Sequence, residues 1–338
     1  MQNTIGKEPL LVSLVNRVRL PWYFITLLIT IILLLFLVLV GYLDGGFLQL
    51  KVWEFWRVTL QAPIIIAYIL LIYPVIIRLG KRALEAFRPL IPIEEQQFND
   101  LITEVSKVKR WQEWLAILIG SIFILALSRP WIWVDQWIDV YQVITSMLMF
   151  GILGWLIYSA IYSSRSLSKL SHQNLKLDIF NINLLSPIAH LSLGNSLAFI
   201  GGISLSLVFQ TQQSLLEWPT ITIYSVLVLA TIQIFFISMW NIHGMLIRVK
   251  RDELNFVRDQ LESASKKLKN KVSEGQQYRL EHLSLAVAGW AAYERKVQTT
   301  QEWPFNATIV RRLFASVLAP ASIYLIKILS VLGIKISF

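Results

Sequence analysis

The sequence predicts an all-α, polytopic membrane protein with about seven transmembrane helices and a helical hairpin or bundle on the cytoplasmic side. Three observations predict this fold class. The 338 residues are 55% hydrophobic and only 15% charged, whereas an average soluble domain carries about 25% charged residues. The apolar residues form runs that match the roughly 20 residues needed to cross a bilayer. The Lys and Arg residues cluster between alternate runs, as expected of cytoplasmic loops.

Seven apolar segments are interpreted as membrane spans. They are residues 23–43, 55–79, 114–128, 141–163, 194–210, 219–246 and 312–334. The segments 114–128 and 194–210 are the weakest of the seven, because the first is short and the second is diluted by serine. Removing both would preserve parity, so the loops outside residues 114–210 would keep their sides of the membrane.

The basic residues predict a cytoplasmic N-terminus and a C-terminus on the opposite side of a cell membrane. With seven spans, segments 1–22, 78–113, 164–193 and 247–312 share one side. They contain 26 of the 31 Lys and Arg residues and 16 of the 21 Asp and Glu residues, so the whole net charge of +10 lies there. This asymmetry follows the positive-inside rule. Topology therefore explains the basic composition, and we expect the lipid bilayer, rather than nucleic acid, as a partner.

The spans divide the chain into five parts. These are 1–79 with the N-terminal segment and spans one and two, 80–113 with a cytoplasmic amphipathic helix, 114–246 with spans three to six, 247–311 with a cytoplasmic helical hairpin, and 312–338 with the last span. The amphipathic helix is predicted over 92–113 and runs directly into the third span. Segment 164–193 is leucine-rich but too polar to span, which favours an interfacial helix or a re-entrant element.

The predicted hairpin carries a heptad-like apolar stripe, typical of coiled coils. The sequence Ser273-Glu274-Gly275 then indicates a helix end, and a second amphipathic stretch returns towards the membrane. The stripe either packs within the hairpin or forms a surface for a partner or a second copy of the chain. The residues of this candidate surface are Leu254, Val257, Leu261, Leu268, Lys266, Lys267, Lys269 and Lys271.

Small residues recur every four positions along the fifth predicted span. They are Gly194, Ala198, Gly202 and Ser206. Such a stripe allows two membrane helices to approach closely. We therefore predict a helix-packing face, the alternative being a thin wall beside a pathway.

Lys327 is the one ionisable residue well inside a predicted span. A charge in the bilayer indicates function by default, although Lys327 is near enough to the C-terminal end of its span to extend its amine to the headgroups. If it lines a pathway instead, the last helix would also contribute Ser316, Ser322 and Ser330.

The sequence contains no recognisable catalytic motif. There is no cysteine, and the four histidines lack metal-ligand spacing. We therefore expect no catalytic residues, no metal site and no cofactor. The leading interpretation is a non-enzymatic scaffold or sensor component, whose cytoplasmic helices dock a membrane or cytoplasmic protein or form a homo-oligomer. The alternative is an oligomeric ion channel or small-solute transporter with the last helix lining the pathway.

Overall fold

The computed structural model describes residues 20–44, 53–105, 107–171, 173, 179–211, 213–273, 280–303, 311–312, 314–318 and 320–322. All regular secondary structure in these ranges is helical. The helices are α1 Trp22–Leu43, α2 Trp53–Thr59, α3 Gln61–Glu85, α4 Glu95–Val105, α5 Arg110–Ser128, α6 Trp137–Ser171, α7 Ser186–Phe209, α8 Trp218–Ser273 and α9 Leu280–Gln298.

Six helical segments of the described chain are long and apolar enough to cross a membrane. They are Trp22–Leu43, Phe55–Leu90, Glu95–Ile132, Trp137–Ser171, Ser186–Phe209 and Trp218–Asn270. Their outer surfaces support the same conclusion, since Leu28, Leu118 and Leu229 are each more than half exposed. Soluble monomers rarely expose apolar surface of this extent, whereas lipid chains would solvate it. The fold is therefore a multi-pass helical bundle of the kind found in membranes.

Each of the first six predicted spans matches one of these six segments, including the two weak ones, and only Gln210 of the fifth lies beyond its segment. The short segments gain length because α5 begins at Arg110 and α7 begins at Ser186. The seventh predicted span, 312–334, lies largely outside the described residues. Its described positions, 312, 314–318 and 320–322, are helical.

The predicted continuous helix over 92–113 is wrong, because it is broken between α4 and α5. Residues 107–109 are not helical. Two hydroxyls of α6 bind the end of α4, since Tyr162 donates to the carbonyls of Val105 and Lys107 and Ser166 donates to the carbonyl of Val105 at 3.0 Å. Because these side chains satisfy carbonyls at the end of α4, the chain can turn there and begin α5 separately.

The predicted boundaries of segment 164–193 are also wrong. Residues 164–171 complete α6, and residues 186–193 form the first two turns of α7. Pro187 lies in the first turn of α7, where its fixed φ and missing N–H favour a helix start. The serines that make this segment look too polar for a span are divided between the last turns of α6 and the first turns of α7, where His190 also lies.

The two ends of the bundle are distinguished below as the hairpin end, from which the second half of α8 projects, and the far end. At the far end, Asp44 accepts hydrogen bonds from the N–H groups of Trp137 at 3.1 Å and Ile138 at 2.8 Å. Arg57 Nε donates to the carbonyl of Phe209 at 3.2 Å. Asp44 thus caps the N-terminus of α6, and Arg57 caps the C-terminus of α7. Both are favourable placements for these charges in the helix dipole.

Helices α5 and α6 pack with almost no side chain between them. A Cβ atom added to Gly120 would collide with the carbonyl of Phe150, and one added to Gly154 would lie 2.6 Å from the carbonyl of Ala116. Ser121 Oγ donates across this contact to the carbonyl of Met147 at 3.0 Å. Close packing through small residues is typical of membrane helices.

The hairpin, defined as residues 248–273 of α8 together with α9, is antiparallel. Tyr293 donates to Glu253 at 3.0 Å, and Arg258 Nε donates to Glu294 at 2.9 Å. At its base, Lys296 lies 4.2 Å from the centre of the Phe180 ring, a cation–π contact to the chain before α7. The first two contacts join the two helices of the hairpin, and the third joins the base of the hairpin to the bundle.

Candidate functional site

A cavity of about 230 Å³ lies in the far half of the bundle, between α3, α6, α7 and α8. Most of its wall is apolar, with Ile65, Met149, Phe199 and Leu227 as examples. These side chains come from four separate helices. The cavity is therefore a property of the folded bundle and could not be seen in any one segment of sequence.

The far end of the cavity is polar because three helices present hydrogen-bonding side chains there. Gln61 of α3 donates to Ser206 of α7 at 3.1 Å, and Ser206 shares a 2.8 Å hydrogen bond with Tyr224 of α8. Gln210 donates to Gln61 at 3.3 Å. This network, called here the Gln61 network, links α3, α7 and α8 at the cavity wall.

The described part of the cavity wall carries no charge. None of the described residues that line it is Asp, Glu, Lys, Arg or His. An ionised guest would lose its hydration here without gaining an opposite charge, at a cost of several kcal/mol. The arrangement offers hydrogen bonds from amide and hydroxyl groups to a neutral guest, and its described lining residues include no carboxylate, imidazole or amine.

The predicted small-residue stripe lies mainly against α3 and the cavity. Gly194 faces Leu79, Gly202 lies close to the ring of Tyr68, and Tyr68 donates to the carbonyl of Ala198 at 2.9 Å. Ala198, Gly202 and Ser206 also line the cavity. The stripe thus takes part both in helix packing and in the cavity wall.

Helix α8 connects the cavity to the hairpin. Its first turns contribute Thr220, Ile223, Tyr224 and Leu227 to the cavity wall. The same helix continues to Ser273, a total of 56 residues, or about 84 Å at 1.5 Å per residue. The cavity wall and the first arm of the hairpin are therefore parts of one uninterrupted element.

Within the hairpin, the predicted partner surface divides into an inner and an outer part. Val257 is fully buried, and Leu254, Leu261 and Leu268 are half-buried. These four lie on the predicted apolar stripe of α8. Much of that stripe is therefore covered within the folded chain.

Lys266, Lys267 and Lys269 of the predicted surface lie on the outside of the hairpin. Lys267 and Lys269 are exposed, and Lys271 lies in the last turn of α8. Lys266 pairs with Glu262 at 2.6 Å, a contact that lowers the pKa of Glu262 and raises that of Lys266 through the hydrogen bond and the opposite charges. Both side chains are exposed, and such surface pairs stabilise little.

The predicted pathway residues of the last helix are only partly visible. Ser316 and Ser322 lie in helical positions, whereas Lys327 and Ser330 lie outside the described residues. Neither described serine lines the cavity. The structure therefore does not bring these two residues to the candidate site.

Glu113 is a buried carboxyl that was not among the predicted site residues. It precedes the predicted third span by one residue and was therefore counted with the cytoplasmic loop. Its side chain is 2% exposed, and its Oε1 accepts a 3.0 Å hydrogen bond from the indole of Trp155. The Trp155 ring lies 4.6 Å from that of Tyr73. The only signal in the sequence was its position between Trp111 and Trp114. Both indoles are exposed, and helical periodicity places Glu113 on the other side of the helix, towards the bundle.

No group of three or more His, Asp or Glu side chains within the described ranges is arranged to hold a metal ion. Comparisons with known proteins give no relative: no family model matches the sequence, and neither a curated protein nor a solved structure matches it. The features of the chain that bear on function are therefore the cavity, the Gln61 network and the continuity of α8.

Proposed function

We propose that this chain is a non-enzymatic sensor component of a membrane, which binds a small neutral molecule in its cavity and conveys occupancy to the hairpin. The observation that carries this proposal is that α8 both lines the cavity, through Tyr224, and forms the first arm of the hairpin. A helix without interruption transmits a tilt or rotation along its length, so a guest that moves one end of α8 also moves the other.

The guest class follows from the cavity wall. An apolar wall favours a hydrocarbon body, and the Gln61 network favours a single hydroxyl, carbonyl or amide at the far end. The absence of charge from the described lining residues disfavours ions. We therefore propose a small, neutral, amphipathic molecule with one hydrogen-bonding end, which could reach the site from the bilayer.

The hairpin is proposed to face the cytoplasm, together with the N-terminus, while the C-terminus lies opposite. The support is the distribution of charge, since the net +10 of the sequence falls on the hairpin side under a seven-span topology. Because Val257 and much of the apolar stripe are used internally, the outer surface, with Lys267, Lys269 and the half-exposed Phe256, is the proposed contact with an acidic partner protein or a second copy.

The test uses the full chain in lipid nanodiscs, with 1-heptanol as the probe. We expect heptanol to change hydrogen–deuterium exchange in the hairpin of the native protein. Tyr224→Phe and Gln61→Leu should weaken this response about fivefold or more, because each removes about 1 kcal/mol or more of hydrogen bonding at the polar end. Thr222→Ala is the matched control, since half-buried Thr222 lies on the same helix outside the cavity lining and donates to the Trp218 carbonyl in its own turn.

The outcomes separate the two candidate functions. A response in the cavity and in the hairpin supports the sensor. Protection at the cavity without any change in the hairpin would overturn the sensor and favour the alternative, a small-solute transporter or channel. Equal responses in Tyr224→Phe and the native protein would show that heptanol acts through the lipid, which overturns the proposed site.

A further inference from the structure

Three side chains in the hairpin half of α7 are buried without a hydrogen-bond partner among the described residues. Ser192, Asn195 and Ser196 are at most 1% exposed. The unpaired atoms are both serine Oγ atoms and both polar atoms of the Asn195 amide. Other hydroxyls in the bundle donate to the backbone carbonyl four residues earlier, as Ser204 does to Ile200 at 2.8 Å. Ser192 and Ser196 make no such hydrogen bond.

These three residues, called here the polar triplet, share a helix face with the cavity wall. From Ser196, steps of three and four residues lead to Phe199, Ile203, Ser206 and Gln210, all of which line the cavity. Phe199 follows Asn195 by one turn, about 6 Å, and Ser206 lies about 15 Å beyond Ser196 along the axis. This face of α7 is therefore polar at both ends and apolar in the middle.

The unpaired atoms define the guest they would accept. The amide Nδ2 must donate, the amide Oδ1 must accept, and the two hydroxyls can do either. A bare cation would satisfy the oxygens but leave the N–H groups unpaired, and an anion would leave Oδ1 unpaired. Each group left unpaired costs about 1–3 kcal/mol. A guest that both donates and accepts, such as water or a small polyol, satisfies all of them.

We propose that the polar triplet is a second binding site for a neutral hydroxyl guest, and that water or a small polyol passes between it and the Gln61 network. Phe199 and Ile203 form the apolar layer that the guest must cross. This activity goes beyond sensing, joins the cavity to a site whose three residues lie outside the cavity lining, and does not require the hairpin. Its failure would therefore leave the heptanol response of the hairpin untouched.

The test measures stopped-flow light scattering of proteoliposomes. A sucrose gradient reports water permeability, and a glycerol gradient reports glycerol entry, which distinguishes the two guests. We expect protein-dependent permeability to at least one of them. Asn195→Leu and the double variant Ser192→Ala/Ser196→Ala should each lower it about fivefold or more, as expected from the loss of about 1 kcal/mol of hydrogen bonding. Phe199→Ala should raise it.

The control is Ser204→Ala, because Ser204 lies on the opposite face of α7 and its hydroxyl is already paired. It should leave permeability unchanged. If Asn195→Leu fails to fold, the serine double variant, which removes only two oxygen atoms, carries the test. Native protein that passes neither water nor glycerol overturns the proposal. Triplet variants that retain native permeability also overturn it, and higher thermal stability in them would show that the three groups are buried unpaired and empty.

Discussion

The indole N–H of Trp22 donates a hydrogen bond to the backbone carbonyl of Leu70. Leu70 lies four residues before Pro74, which is inside α3 and has no N–H to offer this carbonyl. A side chain from α1 therefore takes the place of the missing helical donor. This one contact makes a proline compatible with a spanning helix, because neighbouring helices can satisfy the backbone groups that a proline leaves unpaired.

We expect Trp22→Phe to lower the free energy of unfolding by about 1–3 kcal/mol, the cost of an unpaired buried carbonyl. Phe keeps an aromatic ring beside Tyr73, whose centre lies 5.5 Å from that of the Trp22 ring. In a Pro74→Ala background the same change should cost less than about 0.5 kcal/mol, because the substituted alanine would supply the backbone donor. Detergent-induced unfolding of the four proteins of this cycle measures the difference. An equal loss in both backgrounds would assign the effect to ring packing.

The spans could be predicted from the sequence, whereas the Trp22 contact could not. A helix satisfies its own backbone in lipid, so length and hydropathy locate it without knowledge of its neighbours. The sequence places Pro74 inside a span, but the carbonyl it leaves unpaired is bound from another helix, 48 residues away along the chain. The break after Val105 was missed for the same reason, since hydroxyls of α6 cause it.

Gly120 tests the close contact of α5 and α6. Gly120→Ala should lower the free energy of unfolding by about 1–3 kcal/mol, because its Cβ would meet the rigid carbonyl of Phe150. Gly41→Ala in α1 is the control, since its Cβ would meet nothing within 4 Å. That change should be neutral or stabilise by about 0.5–1 kcal/mol through helix propensity. Thermal unfolding in detergent compares the two, and similar values for both would refute the packing argument.

The candidate site was only half predictable. Sequence spacing placed Ala198, Gly202 and Ser206 on one face, and that face does line the cavity. Gln61 and Tyr224 could not be identified beforehand, because they come from α3 and α8 and meet Ser206 only in the folded bundle. Periodicity shows which side of a helix is distinctive, but it does not show which other helix lies opposite.

Lys250 and Glu302 predict a pH dependence at the base of the hairpin. Their 2.9 Å ion pair lowers the pKa of Glu302 from its ordinary 4.5, first through the hydrogen bond and then through the charge of Lys250. A carboxyl with a lowered folded-state pKa stabilises fully above its unfolded pKa, and this contribution is lost as the pH falls. The docking of residues 298–303 should therefore loosen below about pH 4.5.

A nitroxide label reports this loosening. The sequence has no cysteine, so Thr299→Cys creates a unique attachment point on an exposed residue next to the Lys250 contacts. We expect the label to become more mobile between pH 6 and pH 3 in otherwise native protein. In Glu302→Gln it should show the same intermediate mobility throughout that range. A pH response that persists in Glu302→Gln would assign the switch to another group.

Asp44 joins the first and fourth predicted spans at the far end of the bundle. Its two carboxylate oxygens accept the N–H groups of Trp137 and Ile138, which have no acceptor within α6. Asp44→Ala should lower the free energy of unfolding by about 0.5–2 kcal/mol, the usual range for a lost N-terminal cap. Asp44→Asn keeps one accepting oxygen and should fall between Asp44→Ala and the native protein. Asp135→Ala removes the same charge from an exposed residue at the same end. If detergent unfolding gives equal losses for Asp44→Ala and Asp135→Ala, charge rather than capping stabilises this end.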